Sequence, residues 1–214
     1  MNTLIVGANG GIGRILSKQL SDQDGMKPIA MIRKEDQKSF FDNIGVETIM
    51  GDLEDSVEDL SKSFENADSI VFTAGSGGKT DYDKTLEIDL DAAVKCMEAA
   101  EKNNIQRFLI VSVINADDRE VWDKSPIKPY MIAKFYADQN LKRSNLDYTI
   151  IRPGSLTNKK GTGCISISPD SSSQNEIPRE DVASVITACL NNDNTIGKTF
   201  DFVSGDILIE DAIK

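Results

Sequence analysis

Short apolar runs alternate along this chain with stripes of helical period, and the alternation predicts the architecture. Leu4, Ile5 and Val6 form an unbroken apolar run too short for a helix. A strand that is apolar at every position is one covered on both faces, as in a parallel sheet. From Ile12 the period changes: Ile12, Ile15, Leu16 and Leu20 fall three and four residues apart, the spacing of one helix face. The two patterns then repeat. Strands are predicted over 28–33, 46–50, 69–73, 107–112, 148–151 and 199–203. Between them, Val57, Leu60, Ser61 and Phe64 mark one helix face, and Leu86, Leu90, Ala93, Val94, Met97 and Ala100 mark a longer one. Further helices are predicted over 129–143, with proline at the start, over 179–190, and briefly at the C-terminus.

Strands alternating with helices predict an α/β protein with a Rossmann-like, doubly wound parallel sheet, here a single domain over 1–214. Right-handed crossovers then gather the ligand-binding loops at the carboxyl ends of the strands. One stretch breaks the pattern. Residues 155–177 are rich in Ser, Gly, Thr and Asn, and their place after the sixth strand predicts a substrate-side loop, either a mobile lid or a plain solvent loop.

Composition removes several classes of function. The chain carries 24 basic and 35 acidic residues, a net charge of −11. Nucleic acid and anionic membranes both need basic patches, so neither is an expected partner. No apolar run nears the roughly 20 residues of a membrane span, and the first strand begins too close to Met1 to leave room for a signal peptide. Cys96, Cys164 and Cys189 are odd in number, widely separated and outside any CxxC. A cytoplasmic protein with reduced thiols is expected. The chain has no histidine, which removes Ser-His-Asp and Cys-His catalysis and leaves a zinc site poor in ligands. No metal is expected, and acid–base work falls to Tyr, Lys, Asp or Glu.

Candidate chemistry concentrates at the first strand–helix junction, Gly7-Ala8-Asn9-Gly10-Gly11-Ile12-Gly13-Arg14. Glycines at 7, 10 and 13 allow a turn too tight for side chains, and they expose backbone N–H groups to a phosphate at the positive end of the following helix. Arg33 stands twenty residues after Gly13, at the end of the second strand. An acid there would hold the ribose hydroxyl of NAD, whereas an arginine accommodates the 2′-phosphate of NADP. NADP(H) is therefore the expected cofactor, with NAD as the alternative and Arg14 as a second phosphate contact.

The GxxGxxG spacing resembles that of short-chain dehydrogenase/reductases, in particular the atypical NAD(P)H-binding or NmrA-like members, which include biliverdin and flavin reductases. The resemblance runs from Thr3 to about Gly205. It implies that Asp52 and Leu53, after the third strand, meet the adenine. It also implies that Thr73, Ala74 and Gly75 let the backbone approach the ribose, and that the Arg152-Pro153-Gly154 segment brings Pro153 near the nicotinamide. Tyr130-Met131-Ile132-Ala133-Lys134 matches the family's YxxxK. Helical i, i+4 spacing puts phenol and ammonium on one face, where the ammonium should lower the phenol's pKa toward a useful range. Tyr130 would then exchange a proton with the substrate while Lys134 holds the ribose. The family's third catalytic residue, a hydroxyl after the fifth strand, maps onto Ser112; the next two positions, where relatives often carry it, are Val113 and Ile114. Ile177-Pro178-Arg179-Glu180-Asp181-Val182-Ala183 resembles another family segment, which implies a structural role for Asp181 or its neighbouring acids at a helix start.

The resemblance leaves three readings open. The first is an NADP-dependent oxidoreductase, a monomer or weak homodimer, passing hydride to a small carbonyl, quinone or flavin-like acceptor. The second is a non-catalytic NADP-binding redox sensor of the NmrA-like kind. The third is an epimerase or dehydratase, for which the chain lacks an obvious substrate domain.

Overall fold

The computed structural model describes residues 1–77, 81–167 and 175–214. The N-terminal apolar run is strand β1 (Asn2–Val6), which passes through the glycine loop into α1 (Gly11–Ser21). Then follow β2 (Lys27–Ile32), α2 (Lys38–Asp42), β3 (Glu47–Met50), α3 (Val57–Phe64) and β4 (Ser69–Phe72). A long helical segment comes next, made of α4 (Tyr82–Lys84), a π-helical stretch (Thr85–Asp91) and α5 (Ala92–Lys102). Strand β5 (Arg107–Val111), α6 (Arg119–Lys124), α7 (Lys128–Arg143) and β6 (Asp147–Pro153) continue the alternation. The C-terminal part holds β7 (Ser155–Thr157), β8 (Cys164–Ile167), β9 (Glu176–Pro178), α8 (Arg179–Leu190), β10 (Lys198–Ser204), β11 (Ile207–Leu208) and α9 (Ile209–Ala212). Among the described residues, no helix is long and apolar enough to cross a membrane.

The main sheet runs β11-β8-β10-β6-β5-β4-β1-β2-β3. Strands β3 to β10 in that order are parallel, and β8 and β11 are added antiparallel at one edge. The expected doubly wound sheet is thus present, with the seven predicted strands in place to within two residues. Strand order reverses at β1: the chain steps outward to β3, then returns to lay β4 on the other side. Ligands of such sheets sit at this reversal, outside the carboxyl ends of the strands. Side chains alternate between two cores. Leu4 and Val6 pack with Leu60, Phe64, Phe108 and Ile110 on one face. Ile5 packs with Leu16, Leu20, Ile151 and Ile186 on the other.

Two expectations need correction. The helix stripe through Leu86 and Leu90 is out of phase at its N-terminal end, where Leu86 is 53% exposed and Thr85 and Asp89 are buried. The π-helical stretch is the cause. Its wider turn shifts the inward face by one residue, and the predicted phase returns with Leu90 at the core's edge and Ala93, Met97 and Ala100 inside it. Nor is 155–177 irregular throughout. Strands β7 and β9 pair in parallel as a small second sheet, and β8 joins the main one. The Asp181 carboxylate, in the first turn of α8, accepts N–H bonds from Thr162 (3.0 Å) and Gly163 (2.8 Å). That is the structural role expected of it, and it fixes the loop before β8. Residues 168–174, the middle of the expected substrate-side loop, lie outside the described residues.

Candidate active site

The glycine loop is shaped by three separate constraints. Gly7 has φ +82°, and a Cβ there would sit 2.6 Å from the Ala74 nitrogen. A Cβ on Gly13 would meet the Gly7 carbonyl at 2.5 Å, so Gly13 is required for close packing of α1 on the loop. Thr73 Oγ1 donates to the carbonyls of Val6 and Gly7 at 3.0 and 3.2 Å, tying the end of β4 to the turn.

Two contiguous cavities open on either side of this loop. The first, about 570 Å³, is lined by Gly7, Asn9, Gly10, Arg33, Asp52 and Leu53. The second, about 520 Å³, is lined by Gly11, Ile12, Ser112, Tyr130 and Lys134. Thr73, Ala74, Gly75 and Ser76 line both. A groove in two parts with a glycine hinge has the form a dinucleotide needs, with its adenosine half on the β2–β3 side and its nicotinamide half under α7.

On the adenosine side, Arg33 is exposed at the end of β2. The loop that carries it is fixed by Gln37 Oε1, which accepts from the N–H groups of Arg33 (3.0 Å) and Lys34 (3.3 Å). Asp52 Oδ1 accepts from the Glu54 N–H at 3.1 Å, so Asp52 is both a turn residue and a wall of the cavity.

On the other side, Lys134 is 2% exposed and its Nζ lies 3.2 Å from Oδ1 of Asp89, itself fully buried. The same Nζ donates to the carbonyl of Val111 at 3.1 Å and, at 3.4 Å, to that of Ala74. Asp89 is brought inward by the π-helical stretch, and its Oδ2 accepts the Ser76 N–H at 3.0 Å. A Cβ on Gly75 would lie 2.9 Å from Asp89 Oδ1, so the smallness of that residue makes room for the carboxylate. Burial pulls the Lys134 pKa down, but Tyr130 and Asp89 outweigh it and hold it above its ordinary value.

The expected lowering of the Tyr130 pKa is reversed. Its Lys134 neighbour does act in that direction, with Nζ 5.6 Å from the ring centroid. Burial outweighs it, however, and the Asp89 and Asp138 carboxylates add to burial, so the phenol is pushed above its ordinary value. A buried ammonium already paired with a carboxylate has little left with which to favour a phenolate.

Ser112 lines the cavity, but its hydroxyl donates to Asp138 Oδ2 at 3.0 Å. Asp138 follows Tyr130 and Lys134 on the same face of α7 at the next i+4 step. Its carboxylate also accepts from Arg152 Nε at 2.9 Å. Burial pushes Asp138 up to about 6, against the pull of Arg152 and Ser112. Arg152 pairs further with Asp117 at 2.9 Å and Asp201 at 3.6 Å.

Three expected cofactor residues do not line either cavity. Gly13 is inside the α1 packing. Arg14 is turned to the outside of α1, where its Nη2 donates to Asn9 Oδ1 at 2.6 Å and its guanidinium stacks 4.6 Å from the Phe40 ring. Pro153 is buried in β6 opposite Phe202, and its carbonyl accepts from the Ile114 N–H at 3.0 Å. It shapes the loop after β5 instead of facing a ligand. Sequence reasoning missed Asp89, Asp138, Gln37 and Arg179, the last of which lines the nicotinamide-side cavity. Only Asp138 carried a local signal, its position one further i+4 step along the YxxxK face.

Residues 7–193 match the model of the NAD(P)H-binding family, and the chain belongs to that family. It is 44% identical to "Uncharacterized sugar epimerase YhfK" of Bacillus subtilis over 100% of this chain and 99% of that protein. The crystal structure of the oxidoreductase ylbE from Lactococcus lactis superposes with a TM-score of 0.89 at 36% identity, covering 100% of this chain and 95% of that one. A short-chain dehydrogenase/reductase from Veillonella parvula, solved in complex with NADP, shares the fold alone: TM-score 0.76 at 21% identity, over 95% of this chain and 94% of that one. The family is the NAD(P)H-binding one, and the fold is the Rossmann-like fold these structures share.

Proposed function

We propose that this chain is an NADP(H)-dependent reductase that delivers hydride to a small carbonyl, quinone or flavin-like acceptor, working as a monomer or weak homodimer. One observation carries the reading: Tyr130 and Lys134 line a cavity continuous with the glycine loop. The residues present fit the dinucleotide. Gly7 and Gly10 leave the loop open to a diphosphate at the positive end of α1, and Arg33 stands in the adenosine half where an acid would select NAD. The NADP bound to the Veillonella protein of the same fold supports that choice.

When bound, the reduced nicotinamide supplies the hydride. The chain's own part is to orient and to donate a proton. Lys134, whose ammonium serves Asp89 and two backbone carbonyls, would hold the nicotinamide ribose by giving up its long 3.4 Å contact with the Ala74 carbonyl. Tyr130 carries its proton at neutral pH, as a phenol at or above its ordinary pKa does, so it enters the scheme as the proton donor to the acceptor during reduction. Ser112 is a positioning residue in this scheme, since its hydroxyl proton is given to Asp138.

A second reading, a redox sensor without turnover, is favoured by that same commitment of Ser112 and by Val113 and Ile114 beyond it. NADPH consumption against a panel of quinones, flavins and aldehydes separates the two. Tyr130→Phe should lower turnover by about 10²–10⁴ while NADPH affinity is retained. Wild-type turnover in the Phe variant would remove Tyr130 from the mechanism. Reduction of no acceptor, with clearly different affinities for NADP⁺ and NADPH, would favour the sensor.

A further inference from the structure

We infer that Arg179 selects the acceptor, and that the acceptor is an apolar molecule carrying a carboxylate. The inference rests on the reductase reading and names the substrate class for the same cavity.

The acceptor side of the cavity is apolar. Tyr82, Ile127 and Leu156 line it with exposures of 65%, 48% and 37%, so large hydrophobic side chains stand open around a concave site. Such a wall favours an apolar body. Charge decides what that body carries. Lys134 and Asp89 cancel as a buried pair, which leaves Arg179 as the uncompensated charge among the described residues that line the cavity. Its Nη1 donates to a neutral group, Asn158 Oδ1, at 2.8 Å. Among the described residues it forms no ion pair with a carboxylate, in a chain with 35 acidic residues.

The guanidinium is also held in place. Its stem lies across Gly11, where a Cβ would sit 2.7 Å from Arg179 Cδ. With Asn158 at the far end, the side chain is braced at both ends, so little ordering remains to be done when an anion arrives. A planar guanidinium takes a carboxylate through paired, charge-assisted hydrogen bonds. The chain as a whole has a net charge of −11 and repels anions, so an acidic acceptor needs a local cation of this kind.

The same guanidinium could instead meet the diphosphate of the cofactor, and the test is built to separate the two anions. Protein saturated with NADP⁺ is titrated with anthraquinone-2-carboxylate and with its neutral counterpart, anthraquinone-2-carboxamide. The wild type should bind the carboxylate at least about tenfold more tightly. Arg179→Gln should make the two affinities equal with NADP⁺ affinity unchanged, and Arg179→Lys should keep part of the preference. The Lys variant serves alone if the Gln variant does not fold. A tenfold loss of NADP⁺ affinity in either variant puts the guanidinium on the diphosphate and overturns the proposal. Equal affinities for the two probes, or binding of neither, in a wild type that binds NADP⁺ overturn it and leave the cofactor reading standing. A wild type that does not bind NADP⁺ overturns both.

Discussion

In the adenosine half of the groove the contacts are exposed and mostly local: Gln37 holds the Arg33 backbone N–H, Asp52 the Glu54 N–H and Arg14 the Asn9 side chain, two to five residues away, while the exposed Lys84–Glu54 pair spans 30. In the nicotinamide half, beneath the open apolar rim, Lys134, Asp89, Asp138 and Arg152 are buried and fixed by partners 14 to 60 residues away, as Arg152 is by Asp138 and Lys134 by the Ala74 carbonyl. The first kind of construction is a set of loops on a frame. Each contact is solvated, and losing one leaves the rest in place. The second is a charged network in a low-dielectric interior, where each group depends on its partner for its own solvation. Binding of the common part of a cofactor needs only the former. Holding a proton at one atom needs the latter.

The largest test of this contrast is Lys134→Ala. It leaves the fully buried Asp89 carboxylate without its cation, and removing one member of a buried pair costs about 3–5 kcal/mol. Urea unfolding should show a stability loss of that size. A loss below about 1 kcal/mol would mean the pair is effectively solvated, and the two halves would then be built alike. Lys134→Met combined with Asp89→Leu should recover most of the loss, because both charges go together.

Legibility in the sequence follows the same divide. The glycine spacing, Arg33 and the Thr73–Gly75 turn are local patterns, and each was readable from the residues that make it. Tyr130 and Lys134 were readable because helical spacing puts them on one face. Asp89 was hidden by its backbone. A regular 3.6-residue period turns Leu86 inward, and only the π-helical stretch turns it out and buries Thr85 and Asp89, with Leu90 at the edge of the core. Arg179 meets Gly11 only through the packing of α8 beside the glycine loop, a contact no spacing rule contains. Pro153 was misplaced for the related reason that a family segment specifies a strand end without saying which face its side chain takes. The direction of the Tyr130 pKa is not legible from its i+4 lysine, because it depends on burial and on the Asp89 and Asp138 carboxylates.

The next test is a pH dependence. Asp138 is raised to about 6 in the folded chain, against about 3.9 for an unfolded aspartate. The folded state therefore holds this proton more tightly. The resulting stabilisation is complete below about pH 4 and is lost as pH rises through about 6, by up to about 3 kcal/mol. Asparagine mimics the protonated form and does not titrate. The stability difference between wild type and Asp138→Asn, from urea unfolding at intervals from pH 4 to 7.5, should shift in favour of the variant across that window. A difference that stays flat would show that Arg152 and Ser112 hold the carboxylate ionised throughout, and the interior network would be less strained than the burial of Asp138 implies.

The smallest effects belong to the adenosine half. If Arg33 holds the 2′-phosphate as proposed, Arg33→Ala removes a charge-assisted contact worth about 1.5–3 kcal/mol, so NADPH affinity measured by calorimetry should fall more than about tenfold while NADH affinity barely changes. Gln37 touches only backbone N–H groups of the same loop, and losing those neutral bonds should cost about 0.5–1.5 kcal/mol, a two- to twelvefold loss for NADPH. The informative measurement is the double variant. If Gln37 acts by holding the loop that carries Arg33, then Gln37→Ala should cost almost nothing once Arg33 is already alanine, and the cycle should show a coupling close to the whole single effect. Additive losses would mean that Gln37, which lines the same cavity, meets the cofactor itself. In that case the local construction of this half would extend to a residue whose contact with the ligand the loop pattern does not reveal.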